Sequence, residues 1–551
     1  MSLKLYQTIS HRKRNMLQSL IPTNWRLRPP SRPLPLDLRP LVAESNILTP
    51  TELSITSSHD ATSLSALIRS GELTSEAVTT AFCKRAAIAH QLTNCLSEIL
   101  FLPALEQARA VDAEHHRTGK TRGPLHGMPI SLKDTFKIKG IDSSIGMTSL
   151  AEKPARENAA LVDMLLEQGA VLYCKTNVPQ TLMGLDSNNH IIGRTLNPRN
   201  TLVTAGGSSG GEGALLAMRG SILGVGTDIG GSIRIPAMCN GLYSIKPSSQ
   251  RIPFSGQEIG QLPGTEDVGL HASAGPMATS ARDCELFLET IANAKPWEND
   301  PRVAFGTWDS QGELGTKPLF GVLRTDGITT PLPPVAKVLD EVVQTLRQRG
   351  TEVVDISAPA FKHCQPLANA FFSIDGHNHT FDLLESTDEP LIPWLSTRLT
   401  RRPPMDLSQV RDLHVRKAAL EKEMLGIWKD EKGRTIDAVI CPVAPHPLPG
   451  IDKWNGVGYT SAFVLLDYPA ATLPVRDFNE SDMQDEIEPG LEILGGWDKR
   501  NRELWTGSSE TVDRAIYLDT KLSVQIVAPR LQERRLYQAL AYVDTLVKQT
   551  S

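Results

Sequence analysis

The sequence predicts an α/β protein in which helices cover a sheet, and three observations predict it. Between residues 128 and 227, short apolar runs of strand length alternate with helical runs that stop at glycine. The 551-residue chain carries 40% hydrophobic and 22% charged residues, an ordinary globular balance that can bury a sizeable core. No run of 18 apolar residues occurs, so no transmembrane helix is expected.

The elements follow in order. Residues 1–36 hold no Asp or Glu but carry Lys4, Arg12, Lys13, Arg14, Arg26, Arg28 and Arg32. This segment reads as a helix packed on the body with Leu17, Leu20 and Ile21 inward; an acid-poor targeting segment is the competing reading. Five prolines between 29 and 40 predict an extended linker. Residues 1–60 are therefore an arm and 61–545 the main domain. Thr74 reads as an N-cap with Glu76 in the first turn, and Val78, Phe82, Ala86 and Ala89 form an inward stripe. Residues 128–132 read as a buried strand. A helix over 159–168 stops at Gly169, and a strand spans 170–174. A second helix over 209–219 stops at Gly220, and a strand spans 221–227. Further on, 437–443 and 470–475 read as strands, and 477–515 as a polar surface excursion. No solenoid repeat is present.

Composition removes several function classes. With 57 basic and 62 acidic residues the net charge is −5, which gives no electrostatic case for binding nucleic acid. Seven cysteines, an odd number without a CxxC pair, argue against a disulfide framework or a zinc site. Reduced thiols in a cytoplasmic setting are expected, with no metal and no membrane contact.

The chemistry concentrates in residues 206–234, where glycine stands at positions 206, 207, 210, 211, 213, 220, 224, 226, 230 and 231. Tight packing of backbone segments accounts for some of them. The functional reading is a set of backbone amides aimed at one point, a nest that stabilises an anion or an oxyanion. A nucleotide cradle does not fit: no G-x-x-x-x-G-K-[ST] occurs, and Gly224 and Gly226 are followed by Ile229 where a dinucleotide motif needs glycine. Serine hydroxyls beside the glycines point to acyl transfer instead. A serine needs a base, and Lys133, at the end of an apolar run, is the candidate. A lysine alone is most often a solvated charge; only Ser208 and Ser232 in its company overturn that. Gly206-Gly-Ser208-Ser-Gly210 also fits a nucleophile elbow with His446 as a later base, a rival that leaves Lys133 and residues 226–234 unexplained.

These residues resemble the amidase signature family, and within it the fungal acetamidase-like amidases. The segments that carry the resemblance are His126-Gly-Met-Pro-Ile-Ser-Leu-Lys133-Asp134, Lys175-Thr-Asn177, Gly206-Gly-Ser-Ser-Gly-Gly-Glu212 and Gly226-Thr-Asp-Ile-Gly-Gly-Ser-Ile-Arg234. The spacings from Lys133 to Ser208 and from Ser208 to Ser232 suit the same family. The resemblance implies one large mixed β-sheet covered by helices on both faces. It implies Ser232 as nucleophile, Ser208 (after a cis peptide bond) as relay and Lys133 as base. Backbone amides of Ile229, Gly230, Gly231 and Ser232 would form an oxyanion hole, supported by Ser209, Thr227, Asp228 and Arg234, with Asp228 and Arg234 as a buried pair. The implied substrate is a small aliphatic or aryl carboxamide. No cofactor is implied, and a homodimer is allowed. Partner-dependent glutaminases of the same family are an alternative, although the chain shows no basic stripe for RNA.

Overall fold

The computed structural model describes residues 3–28, 33–507 and 512–549. Its centre is an eleven-stranded mixed sheet. The strands are β1 (Leu96–Ile99), β2 (Pro129–Lys133), β3 (Val171–Thr176), β4 (Leu223–Asp228), β5 (Tyr243–Lys246), β6 (Ser273–Ala278), β7 (Leu319–Val322), β8 (Glu352–Asp355), β9 (Ala438–Pro442), β10 (Ala470–Asp477) and β11 (Lys521–Val527). Their spatial order is β1-β3-β2-β4-β6-β5-β10-β11-β9-β7-β8. β2 runs parallel to β3 and β4, with Ser131 opposite Gly224 and Leu132 opposite Val225. The strand pair β10–β11, from late in the chain, sits between β5 and β9.

Helices cover both faces, which is why the central strands read as unbroken apolar runs. On one face Met277 of β6 packs with Leu216, Ile233 and Ala237. On the other, the alternate residues Ala274 and Ala278 join the main core with Phe287 and Leu540. Thr74 caps the Ser75–Thr93 helix through Ala77 N–H, as its sequence predicts.

Four local expectations change. In the Leu5–Leu20 helix the inward stripe is Ile9, Lys13, Leu17 and Ile21, spaced four apart, while Leu20 stays 38% exposed. The helix expected over 209–219 spans Gly210–Ala217, and Arg219 rather than Gly220 takes the left-handed conformation (φ 57°). Gly220 is there for closeness: a Cβ would stand 2.6 Å from Leu215 Cδ1. β3 runs past Cys174 to include Lys175 and Thr176, polar but buried because they are bonded. The 477–515 segment is anchored by Trp505, which stacks on Tyr517, and by Asp482, held by Arg476. Part of the proline linker (29–32) and residues 508–511 lie outside the described residues.

Candidate active site

Lys133 ends β2 with its side chain fully enclosed. Its Nζ donates to Ser208 Oγ at 2.7 Å, to Thr227 Oγ1 at 2.8 Å and to the Thr227 carbonyl at 3.1 Å. Thr227 lies on β4, the parallel neighbour of β2, so sheet pairing sets this contact. Burial pulls the Lys133 amine down to about 7, against the opposing pull of Asp228, Glu212 and Asp134. An amine half neutral near pH 7 and bonded to a hydroxyl can accept that hydroxyl's proton.

Ser208 follows a cis Gly207–Ser208 peptide bond. The close packing here admits only glycine at 207: a Cβ would meet the Gly184 carbonyl oxygen. Ser187 pins both flanks, donating to Gly206 O and accepting from Gly210 N–H at 3.0 Å each. Glu212, one turn on, is buried among Ser131 and Thr176, which both donate to it. Burial pushes its carboxyl up to about 7 against those bonds.

Ser232 is 8% exposed and lines a cavity of about 420 Å³ with Ser208, Thr227 and Ile229. Its backbone carbonyl accepts from Ser209 N–H at 3.2 Å. Among the described residues no hydrogen bond joins the Ser208 and Ser232 hydroxyls; they share the cavity wall. The cavity continues between Leu182, Ile252, Phe254 and Leu270 to a charged rim, where Arg302 pairs with Glu266 at 3.0 Å.

The loop before Ser232 is held from beneath. Asp228 Oδ1 accepts from Gly231 N–H at 2.7 Å, and its Oδ2 accepts from Ile233 N–H at 3.1 Å. The Gly231 amide is therefore already engaged, unlike the expectation that it points at an oxyanion. The amides of Ile229, Gly230 and Ser232 have no bond among the described residues. Gly231 has φ +134°, and a Cβ there would stand 2.5 Å from Thr460 Oγ1. Arg234 grips Asp228 with two bonds of 3.0 Å and reaches Gln525 Oε1 at 2.7 Å and Thr460 O at 2.9 Å. Burial is the largest single effect and would raise the Asp228 carboxyl; the Arg234 guanidinium, aided by Lys246 and the Ile233 N–H, outweighs it and holds it at about 2. Asp228→Asn leaves Arg234 as a buried, unpaired cation. It is expected to lower stability by about 3–5 kcal/mol in chemical denaturation. An unchanged denaturation midpoint would show that the pair does not hold the loop.

Gln525, Thr460 and Ser187 carried no signal in the sequence, because their partners lie far away along the chain or in a segment without a motif. Glu212 was visible only as the end of the Gly206–Glu212 run. His446, the base of the rival reading, is spent elsewhere: one ring nitrogen faces Pro447 O at 2.7 Å and the other accepts from Gly456 N–H at 2.8 Å. Burial pulls it down to about 4.

Comparison with known proteins gives a consistent result. A family model described as Amidase matches residues 77–537. An acetamidase of Aspergillus oryzae is 35% identical, with 98% of this chain and 99% of the relative covered. An amidase of Gibberella moniliformis is 37% identical, with 89% and 95% covered. Among solved structures, a fatty acid amide hydrolase superposes with a TM-score of 0.86 at 30% identity, covering 98% of this chain and 95% of that one.

Proposed function

The chain belongs to the amidase family and is an amide hydrolase, and from that premise we propose that it splits a carboxamide through a seryl ester on Ser232, with Ser208 as relay and Lys133 as base. The observation that carries this reading is the 2.7 Å bond from the enclosed Lys133 amine to Ser208, in the cavity that Ser232 also lines. Ser232 Oγ turns towards Ser208 and attacks the amide carbon. Its proton passes to Ser208 Oγ, whose own proton passes to neutral Lys133 Nζ. The carbonyl oxygen becomes an oxyanion facing the free amides of Ile229, Gly230 and Ser232. As the C–N bond breaks, the lysine ammonium returns the proton through Ser208 to the leaving nitrogen, releasing ammonia or an amine. Water then attacks the ester by the same relay and frees the carboxylic acid and Ser232.

The test is covalent labelling with a fluorophosphonate, read by peptide mass spectrometry, on wild type and Lys133→Ala. Label on Ser232, lost in the variant, is the expected result. Label on Ser208 would overturn the assignment, and no label would favour a partner-dependent protein.

The cavity exceeds what an acetyl group fills, and Leu182, Ile252, Phe254 and Leu270 make its wall apolar. The substrate is a small aliphatic or aryl amide longer than acetamide. Along the series acetamide to hexanamide, kcat/KM is expected to rise roughly four-fold per methylene, the equivalent of about 0.8 kcal/mol for each buried CH2. A flat or falling series, measured by ammonia release, would remove the apolar acyl pocket.

A further inference from the structure

The Leu5–Leu20 helix buries a lysine. Lys13 is 3% exposed, and its Nζ lies 2.5 Å from Glu98 Oε1 and 2.7 Å from Asp142 Oδ2. Both partners lead inward. Glu98 stands on edge strand β1 in register with Lys175 of β3. The Asp142 carbonyl and Ser143 Oγ receive Lys175 Nζ at 2.5 and 2.7 Å. Lys175 in turn stands 3.7 Å from Asp134, the residue after Lys133. Asp134 is fixed by Ser97 Oγ and by Ile145 N–H, at 2.6 Å each. A chain of polar contacts thus joins the helix to the backbone of the proposed base.

The next residue on the helix reaches towards Ser208, the partner of Lys133. Arg14 donates to the carbonyls of His190 and Ile191 at 3.0 Å each. These follow Ser187, which pins Gly206 and Gly210 around Ser208.

The geometry points to the Leu5–Leu20 helix as a clamp on the catalytic pair, in which Lys13 is a positioning residue that sets the place and charge environment of Lys133 while Arg14 steadies the Ser208 segment. The inference rests on the reading of Lys133 as base. A surface helix held only for stability has no need of a buried cation, since an apolar side chain would fill the stripe of Ile9, Leu17 and Ile21 at less desolvation cost. The charged groups facing Lys133 are Asp134 on its own strand, Asp228 from β4 and Glu212 from the Gly210–Ala217 helix. Asp228 is balanced by Arg234 and Asp134 by Lys175. Lys175 also feels the Glu98 and Asp142 carboxylates through space, the two that Lys13 pairs with, so the charge on Lys13 bears on how fully Asp134 is balanced.

The test compares Lys13→Met with Asp142→Asn in the full chain, using pH profiles of kcat/KM. Lys13→Met leaves surplus negative charge, favours the Lys133 ammonium and moves the acid limb up by roughly half a pH unit; Asp142→Asn leaves surplus positive charge and moves it down. Lys13→Met also lowers kcat by roughly ten-fold with KM little changed, and Lys13→Met/Asp142→Asn restores most of the loss. Arg12→Ala, which removes the exposed Arg12–Glu152 pair from the same helix, leaves both profiles in place. Limbs that coincide with wild type, or that move in the same direction, overturn the clamp. If Lys13→Met does not fold, the downward shift in Asp142→Asn decides alone. If Lys133→Ala labels Ser232 as fast as wild type, the base assignment falls and the clamp with it.

Discussion

Ser232→Ala is expected to lower kcat by about 10⁵-fold or more while leaving the protein folded, because it removes the atom that forms the acyl bond in the proposed mechanism. The side chain is small and lies at the cavity surface, so truncation opens no void in the core. Residual turnover should be what the loop amides and substrate binding alone provide. Ser208→Ala should also be severely impaired, but differently. The variant keeps the nucleophile and loses the hydroxyl that, together with that of Thr227, is bonded to the Lys133 amine. A water that enters the gap can carry the proton in its place, so acylation by a reactive ester should survive better than amide hydrolysis, whose poor leaving group needs the returned proton. Burst kinetics with an aryl ester and with an aryl amide separate the two steps. If Ser208→Ala abolishes the ester burst and Ser232→Ala keeps it, the nucleophile has been misassigned.

Lys133→Met carries the second large effect. Replacing the amine by an apolar chain of similar length should lower acylation by about 10³–10⁵-fold, the range for losing a general base that acts with its nucleophile as a unit. The wild-type pH profile gives the complementary measurement. The proposed base works only when neutral, and burial draws the Lys133 amine down to about 7. kcat/KM should therefore rise with pH through about 7 and level off above it, with one proton lost on the acid limb. The sign follows from burial, which disfavours the ammonium form. An acid limb near 4 would implicate a carboxylate, and a rise continuing to about pH 10 would describe a solvated lysine; either result removes Lys133 as the base.

The residues visible in the sequence were those whose chemistry depends on local spacing. Ser208, Ser232 and Lys133 stood out because glycine density and an apolar run are unusual over short windows, and the sheet brings Lys133 onto Ser208 through the β2–β4 register. The strands 128–132, 170–174 and 221–227 were legible to within a few residues because strands buried on both faces are continuous apolar runs. Three things were not legible. The Gly231 amide looked like an oxyanion donor, but the Asp228 carboxylate just before it takes that N–H, and a motif does not record which way an N–H points. Lys13 read as one of several arm cations, since burial of a charge depends on partners remote in the chain, here Glu98 and Asp142. The polar run after 477 read as surface excursion because its ion pairs satisfy buried aspartates that composition alone marks as exposed.

The position of β11 affects when the site can be completed during synthesis. Gln525, on that strand, receives Arg234 from far upstream in the chain, and Arg234 is what grips Asp228 under the loop. A ribosome that has translated Lys133, Ser208 and Ser232 has produced the three proposed catalytic side chains but not the strand that braces the loop beside them. The nascent polypeptide thus carries the Asp228–Ser232 loop without its brace until the β10–β11 ribbon slots between β5 and β9 and the sheet closes around it.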